Sequence, residues 1–183
     1  MFAGMHRLAL LLPATLLAFL SCSPKLPPRW AEGGTPLVLA DARWDRGSDD
    51  VIEIKANGQV LEDGDLIYVI DRVGRITDED YEAMAVLLPD GHLAGIENRL
   101  LGRIGIANAA PPDGAAAWLA VLPNGQVVFF DDEGERSNGG VWHGCSGPQQ
   151  RACTLVTHLV ALRHYASRSQ GGVSVGVGIG VGF

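Results

Sequence analysis

A chain of 183 residues is about one domain's worth of sequence and long enough to bury a single core. Its 21 acidic side chains outnumber 14 lysines and arginines, giving a net charge of −7 at neutral pH. That balance excludes the basic footprint of a nucleic-acid binder. The charge is also uneven: residues 41–100 hold 15 Asp or Glu against 6 Lys or Arg, whereas residues 136–183 hold four arginines and no acid. A solvated acidic face with an incidental basic end accounts for this. The alternative is a basic end docked on the acidic body or on phosphate-bearing lipid head groups.

In chain order, Arg7 precedes the apolar run Leu8 to Cys22, LALLLPATLLAFLSC. A positive start and a short apolar core form the layout of a secretory signal peptide, shorter than the ~20 residues of a spanning helix. Pro13 further disfavours a persistent anchor helix. The ending Leu20-Ser21-Cys22 resembles the lipobox of bacterial lipoproteins, where signal peptidase II cuts before a cysteine that then carries lipid. Ser21 fits the position before the cut, while Phe19 and Leu20 stand where leucine and a small residue are more usual. The resemblance implies a signal peptide over 1–21 and acyl chains on Cys22. Because Ser23 follows the cysteine where an aspartate would favour inner-membrane retention, it also implies the outer membrane, on either the periplasmic or the surface face. The alternatives are plain secretion with Cys22 incidental, and an uncleaved anchor.

Residues 22–36 are rich in proline and glycine and read as an extended tether, which puts the start of the folded domain near Leu37. From there the sequence predicts strands and turns. Val51 to Lys55 alternates with period two and turns at Asn57-Gly58 into Gln59-Val60-Leu61. Leu66 to Ile70 turns through Asp71 to Gly74 into Arg75-Ile76, and Ala83 to Leu88 turns at Asp90-Gly91 into His92 to Ala94. Ala117 to Leu122 turns at Asn124-Gly125 into Gln126 to Phe130. Asn-Gly and Asp-Gly between apolar runs are strong hairpin signals, since both residue types tolerate positive φ. Gly58, Gly91 and Gly125 recur 33 and 34 residues apart. The rest of such a unit does not match between copies, so the spacing reads as a decayed duplication, or the reuse of one good turn, and not as a solenoid.

Two helices are expected. Thr77-Asp-Glu-Asp80 resembles a cap and acidic first turn leading into a short helix over Tyr81 to Ala85. Thr154 to Ala166 carries Leu155, Leu159 and Leu162 on one face and closes with Arg163 and His164, so it predicts a helix packed on the sheet. With Cys22 lipidated, Cys145 and Cys153 remain as a disulfide pair in an oxidising compartment. A zinc set of His143, Cys145, Cys153 and His158 lacks the usual C-x-x-C spacing, and a Cys145/His143 nucleophile pair lacks an orienting third group. No metal and no cofactor are expected.

The last stretch, GGVSVGVGIGVGF, sets Val173, Val175, Val177, Ile179 and Val181 in alternation with Ser or Gly, down to Phe183. It lacks the strand-to-helix setting of a dinucleotide loop and is too short and too rich in glycine to span a membrane as a helix. It resembles the C-terminal strand of outer-membrane β-barrel proteins. An edge strand on the protein's own sheet, pairing with a partner or a second copy, and bilayer insertion are the three readings. The fold class is therefore mainly β: a small antiparallel domain over 37–170 built of successive hairpins, one C-terminal helix packed on it, and a terminal strand over 171–183.

No G-x-S-x-G, H-E-x-x-H, phosphate loop or calcium loop occurs. The expectation is a non-enzymatic envelope lipoprotein, tethered to the outer membrane by lipid, that binds another envelope protein or itself. The alternatives are an exported enzyme acting on envelope polymer near Trp142 and His143, and a subunit of an oligomeric outer-membrane pore.

Overall fold

The computed structural model describes residues 25–47 and 50–170, with only the helical backbone for 165–170. Twelve antiparallel strands follow one another around a closed barrel. They are β1 Ala42–Asp45, β2 Val51–Ile54, β3 Gln59–Glu62, β4 Asp65–Ile70, β5 Arg75–Asp78, β6 Ala83–Leu87, β7 His92–Gly95, β8 Leu100–Ile104, β9 Asn108–Ala110, β10 Leu119–Val121, β11 Gln126–Phe130 and β12 Arg136–His143. β12 returns to pair with β1, Trp142 opposite Trp44, so no described strand has a free edge. Alternation supplies the interior: Ile52 and Ile54 are buried while Val51 and Glu53 point outward, and the same holds from hairpin to hairpin.

Barrels of about eight strands are filled by their own side chains, and twelve leave a wider lumen. The helix α1, Gln150–Gln170, fills it. Every residue from Ala152 to Val160 is buried, which is more than two turns and therefore every face of the helix. Side chains at its start bond to the wall and its connections: Gln149, just before the helix, donates to the Ala40 carbonyl at 2.6 Å, Gln150 to Val121 at 2.8 Å and Thr154 to Ile106 at 2.8 Å. The Trp142 indole N–H donates to Thr157 at 2.9 Å. The expected helix over 154–166 thus begins earlier, and its packing partner is the inside of a closed sheet.

The turn spacing resolves into a shorter period. Gly58, Gly74, Gly91 and Gly125 all have positive φ, and Asn108 stands where a fifth would fall, so the interval is 16 or 17 residues. The residue four before each, Ile54, Ile70, Leu87, Ile104 or Val121, is buried. The carbonyl of each turn glycine accepts the N–H of a residue in a following strand: Ile70 to Gly58 at 2.8 Å, Leu87 to Gly74 at 2.8 Å, Ile104 to Gly91 at 2.7 Å and Trp142 to Gly125 at 2.8 Å. A Cβ on Gly125 would stand 2.0 Å from the Trp142 carbonyl oxygen, so that turn takes no side chain. The 33 to 34 residue spacing is two such units.

Two expectations change. The helix expected over Tyr81 to Ala85 is a hairpin: Thr77 pairs with Ala83, and the Asp78 carboxylate accepts the N–H groups of Asp80 and Glu82. The acidic run that resembled a helix start is the tip of that turn. The folded part also begins before Leu37. Gly34 donates to Val73 at 2.6 Å and Thr35 to Leu87 at 2.7 Å, which seats the end of the proline-rich stretch on the turns of the barrel.

Candidate functional site: the barrel mouth where the helix leaves

The helix enters among the glycine turns and leaves at the opposite mouth. Three aromatic side chains line that mouth: Trp44 from β1, Trp118 just ahead of β10 and Phe129 from β11. With Val160 and Ala161 of the helix they border a cavity of about 430 Å³, whose polar rim is Arg46, Ser137 and His164. Trp44 and Phe129 are there because their strands alternate, Trp118 because it stands just ahead of β10, and closure of the barrel brings all three to one rim. Trp44 stacks on Trp142 with ring centroids 5.5 Å apart, and its indole N–H donates to the Gly139 carbonyl at 2.8 Å.

Glu62 holds the departing helix. It accepts Arg46 at 3.2 Å and Arg163 at 3.4 Å, and His164 stands 3.3 Å from it. These groups are partly exposed, so the cluster orients the helix end more than it stabilises the fold. The Arg163 contact is one point where the basic end meets the acidic body.

His158 lies deeper along the same helix. Its Nδ1 accepts the Trp118 indole N–H at 3.0 Å, which leaves Nε2–H to donate to the Leu101 carbonyl at 2.8 Å. Burial holds its pKa at about 4, against an ordinary 6.5, with the Leu101 hydrogen bond working in the opposite direction. The unfolded chain binds this proton near pH 6.5 and the folded chain only near pH 4. Stability from this group is therefore complete above pH 6.5 and lost as the pH falls toward 4, by up to about 3 kcal/mol. Urea unfolding at intervals across that window checks it: stability should already fall between pH 6.5 and 5, and a flat profile there contradicts the neutral, enclosed histidine.

The other expected residues sort clearly. Cys145 and Cys153 are bonded, with Cα atoms 6.1 Å apart, and tie the end of β12 to the first turn of α1. Both sulfurs are thereby withdrawn from the zinc set and from the nucleophile pair. His143 is exposed and stands 3.1 Å from Asp45, while its neighbour Trp142 points into the barrel, so the two do not share a site. Among the described residues no group of three or more His, Cys, Asp or Glu is placed to hold a metal ion. Cys22 and the strand residues Val173, Val175, Val177, Ile179, Val181 and Phe183 lie outside the described residues. The sequence pattern does not group Trp44, Arg46, Trp118 and Phe129; its one signal is that three of them are aromatic and lie on or beside strands. No family model, curated protein or solved structure matches the chain.

Proposed function

We propose that the protein is a non-enzymatic cell-envelope lipoprotein, held at the outer membrane through Cys22, that binds another envelope protein through residues 171–183. One observation carries the reading. The sheet is closed, so a segment with the alternation of a strand finds no free edge among the described strands of its own domain. A segment that apolar and alternating needs a partner if it pairs as a strand, and the partner is then another chain.

Two further points agree. The buried Cys145–Cys153 bond suits an oxidising compartment. Charged side chains point outward on adjacent strands, Arg43 paired with Asp45 at 2.8 Å and Lys55 with Glu53 at 3.0 Å. Charged pairs of this kind differ from the apolar band of a membrane-spanning barrel, which supports attachment through the lipid. The test is deletion of residues 171–183. The expected result is an unchanged circular dichroism spectrum and melting temperature together with loss of the cross-linked assembly recovered from the envelope. Recovery of the same assembly by the deleted chain overturns the reading.

A further inference from the structure

At the end of the barrel where the helix enters, a cleft of about 370 Å³ opens between the β6–β7 and β8–β9 turns. That volume lies within the ~300–1,000 Å³ of small-molecule sites. Its walls include Pro89, Ala110 and Ala117, and Arg103 and Arg151 reach into it. Both arginines pass beside Gly91. A Cβ built on Gly91, whose φ is +88°, would lie 3.6 Å from Arg151 Nη2 and 3.8 Å from Arg103 Cγ.

Among the described residues, neither arginine of this cleft is ion-paired, although Asp90 also lines it. Arg151 is half-buried and donates from Nη2 to the Ile104 carbonyl at 3.1 Å, while its Nε is buried without a hydrogen-bond partner. A guanidinium has five N–H donors, and burying its charge costs free energy unless something anionic pairs with it. Among the described residues no carboxylate pairs with Arg151 or Arg103, in a chain that has 21 of them. Among the described residues Arg103 bonds to His92 alone, its Nη2 3.2 Å from His92 Nε2. The carboxylate that lines the cleft, Asp90, is engaged instead by the other ring nitrogen of His92 at 2.8 Å and by the His92 backbone N–H at 3.0 Å. Asp90 therefore orients His92, and His92 orients Arg103.

We propose that this cleft binds the oxyanion group of a small ligand, a carboxylate or a phosphate, between Arg103 and Arg151. Two planar guanidinium groups converging on one space match an oxyanion's geometry with charge-assisted hydrogen bonds. The alanine and proline walls accept the carbon body attached to it. This site is independent of the partner-binding reading and sits at the other end of the barrel from the helix exit.

The test follows the side-chain Nε–H signals of Arg103 and Arg151 by NMR in the full-length protein in detergent micelles. Sodium phosphate and sodium benzoate are titrated separately against sodium chloride at equal ionic strength. A saturable shift with either anion, absent with chloride, is expected, and the anion that gives it distinguishes phosphate from carboxylate. Arg103→Gln should weaken the response at least ~10-fold, which corresponds to loss of one charge-assisted contact. Arg103 is exposed, so this variant keeps its fold even if Arg151→Gln does not. No saturable shift with either anion, or an undiminished one in Arg103→Gln, overturns the proposal.

Discussion

Gly102→Ala should cost about 4 kcal/mol or more, or leave no folded protein. Gly102 lies on β8 with φ +143°, and a Cβ there would stand 2.4 Å from the His158 imidazole and 2.7 Å from the Ala110 carbonyl oxygen. The imidazole has no easy retreat, because Leu101 and Trp118 hold both of its nitrogens. The strand would have to move away from the helix, and the barrel is closed on both sides of it. Urea unfolding followed by circular dichroism measures the loss. Gly134→Ala is the control: it also has positive φ, but nothing lies within 4 Å of its added Cβ, so it should cost only about 1 kcal/mol. Adding His158→Ala to Gly102→Ala should recover part of the loss. If Gly102→Ala costs no more than the control, the helix does not run where it is placed.

Trp142→Ala should cost about 3–5 kcal/mol, the usual range for removing a large aromatic from a core. Trp142 is 2 % exposed and touches three parts of the structure. Its ring stacks on Trp44, its N–H reaches Thr157 in the helix, and its backbone N–H closes the turn at Gly125. The last of these survives the substitution, so the loss reports on the wall-to-helix packing. Trp142→Phe keeps an aromatic ring and removes the N–H donor, and should cost closer to about 1 kcal/mol for the hydrogen bond plus a share of the packing. Chemical denaturation of both variants separates the two contributions. Equal costs would show that the ring retained in Trp142→Phe contributes nothing to seating the helix.

The strands that sequence reasoning finds are those with a turn signal and an apolar alternation, β2 to β7 and β10 with β11. The ones it misses lack that pattern. β1 is Ala-Arg-Trp-Asp, with its charges outward and only two inward side chains. β8 holds Gly102 where an inward side chain is expected, because His158 occupies the space. β12 is mostly polar or glycine until Val141 and Trp142. The enclosed helix was hidden for a related reason. Thr154, Thr157 and His158 look like a solvated face in the sequence, yet all three are buried and bonded to backbone carbonyls or an indole. Periodicity marks which residues are apolar and not which polar ones find partners inside. The repeat was half seen because Asp71 to Gly74 and Gly105 to Asn108 lack the Asn-Gly or Asp-Gly pair that marks the other turns. The aromatic mouth became visible only on closure, since its members come from β1, the approach to β10, and β11, up to 85 residues apart.

The intact mass of the protein extracted from membranes, taken with and without reductant, bears most directly on the claim of an exported, lipid-anchored chain. The account predicts a chain beginning at Cys22, heavier than its residues by acyl groups, that gains two hydrogens on reduction of the Cys145–Cys153 bond. A chain that carries no acyl mass, or that still begins at Met1, would contradict it.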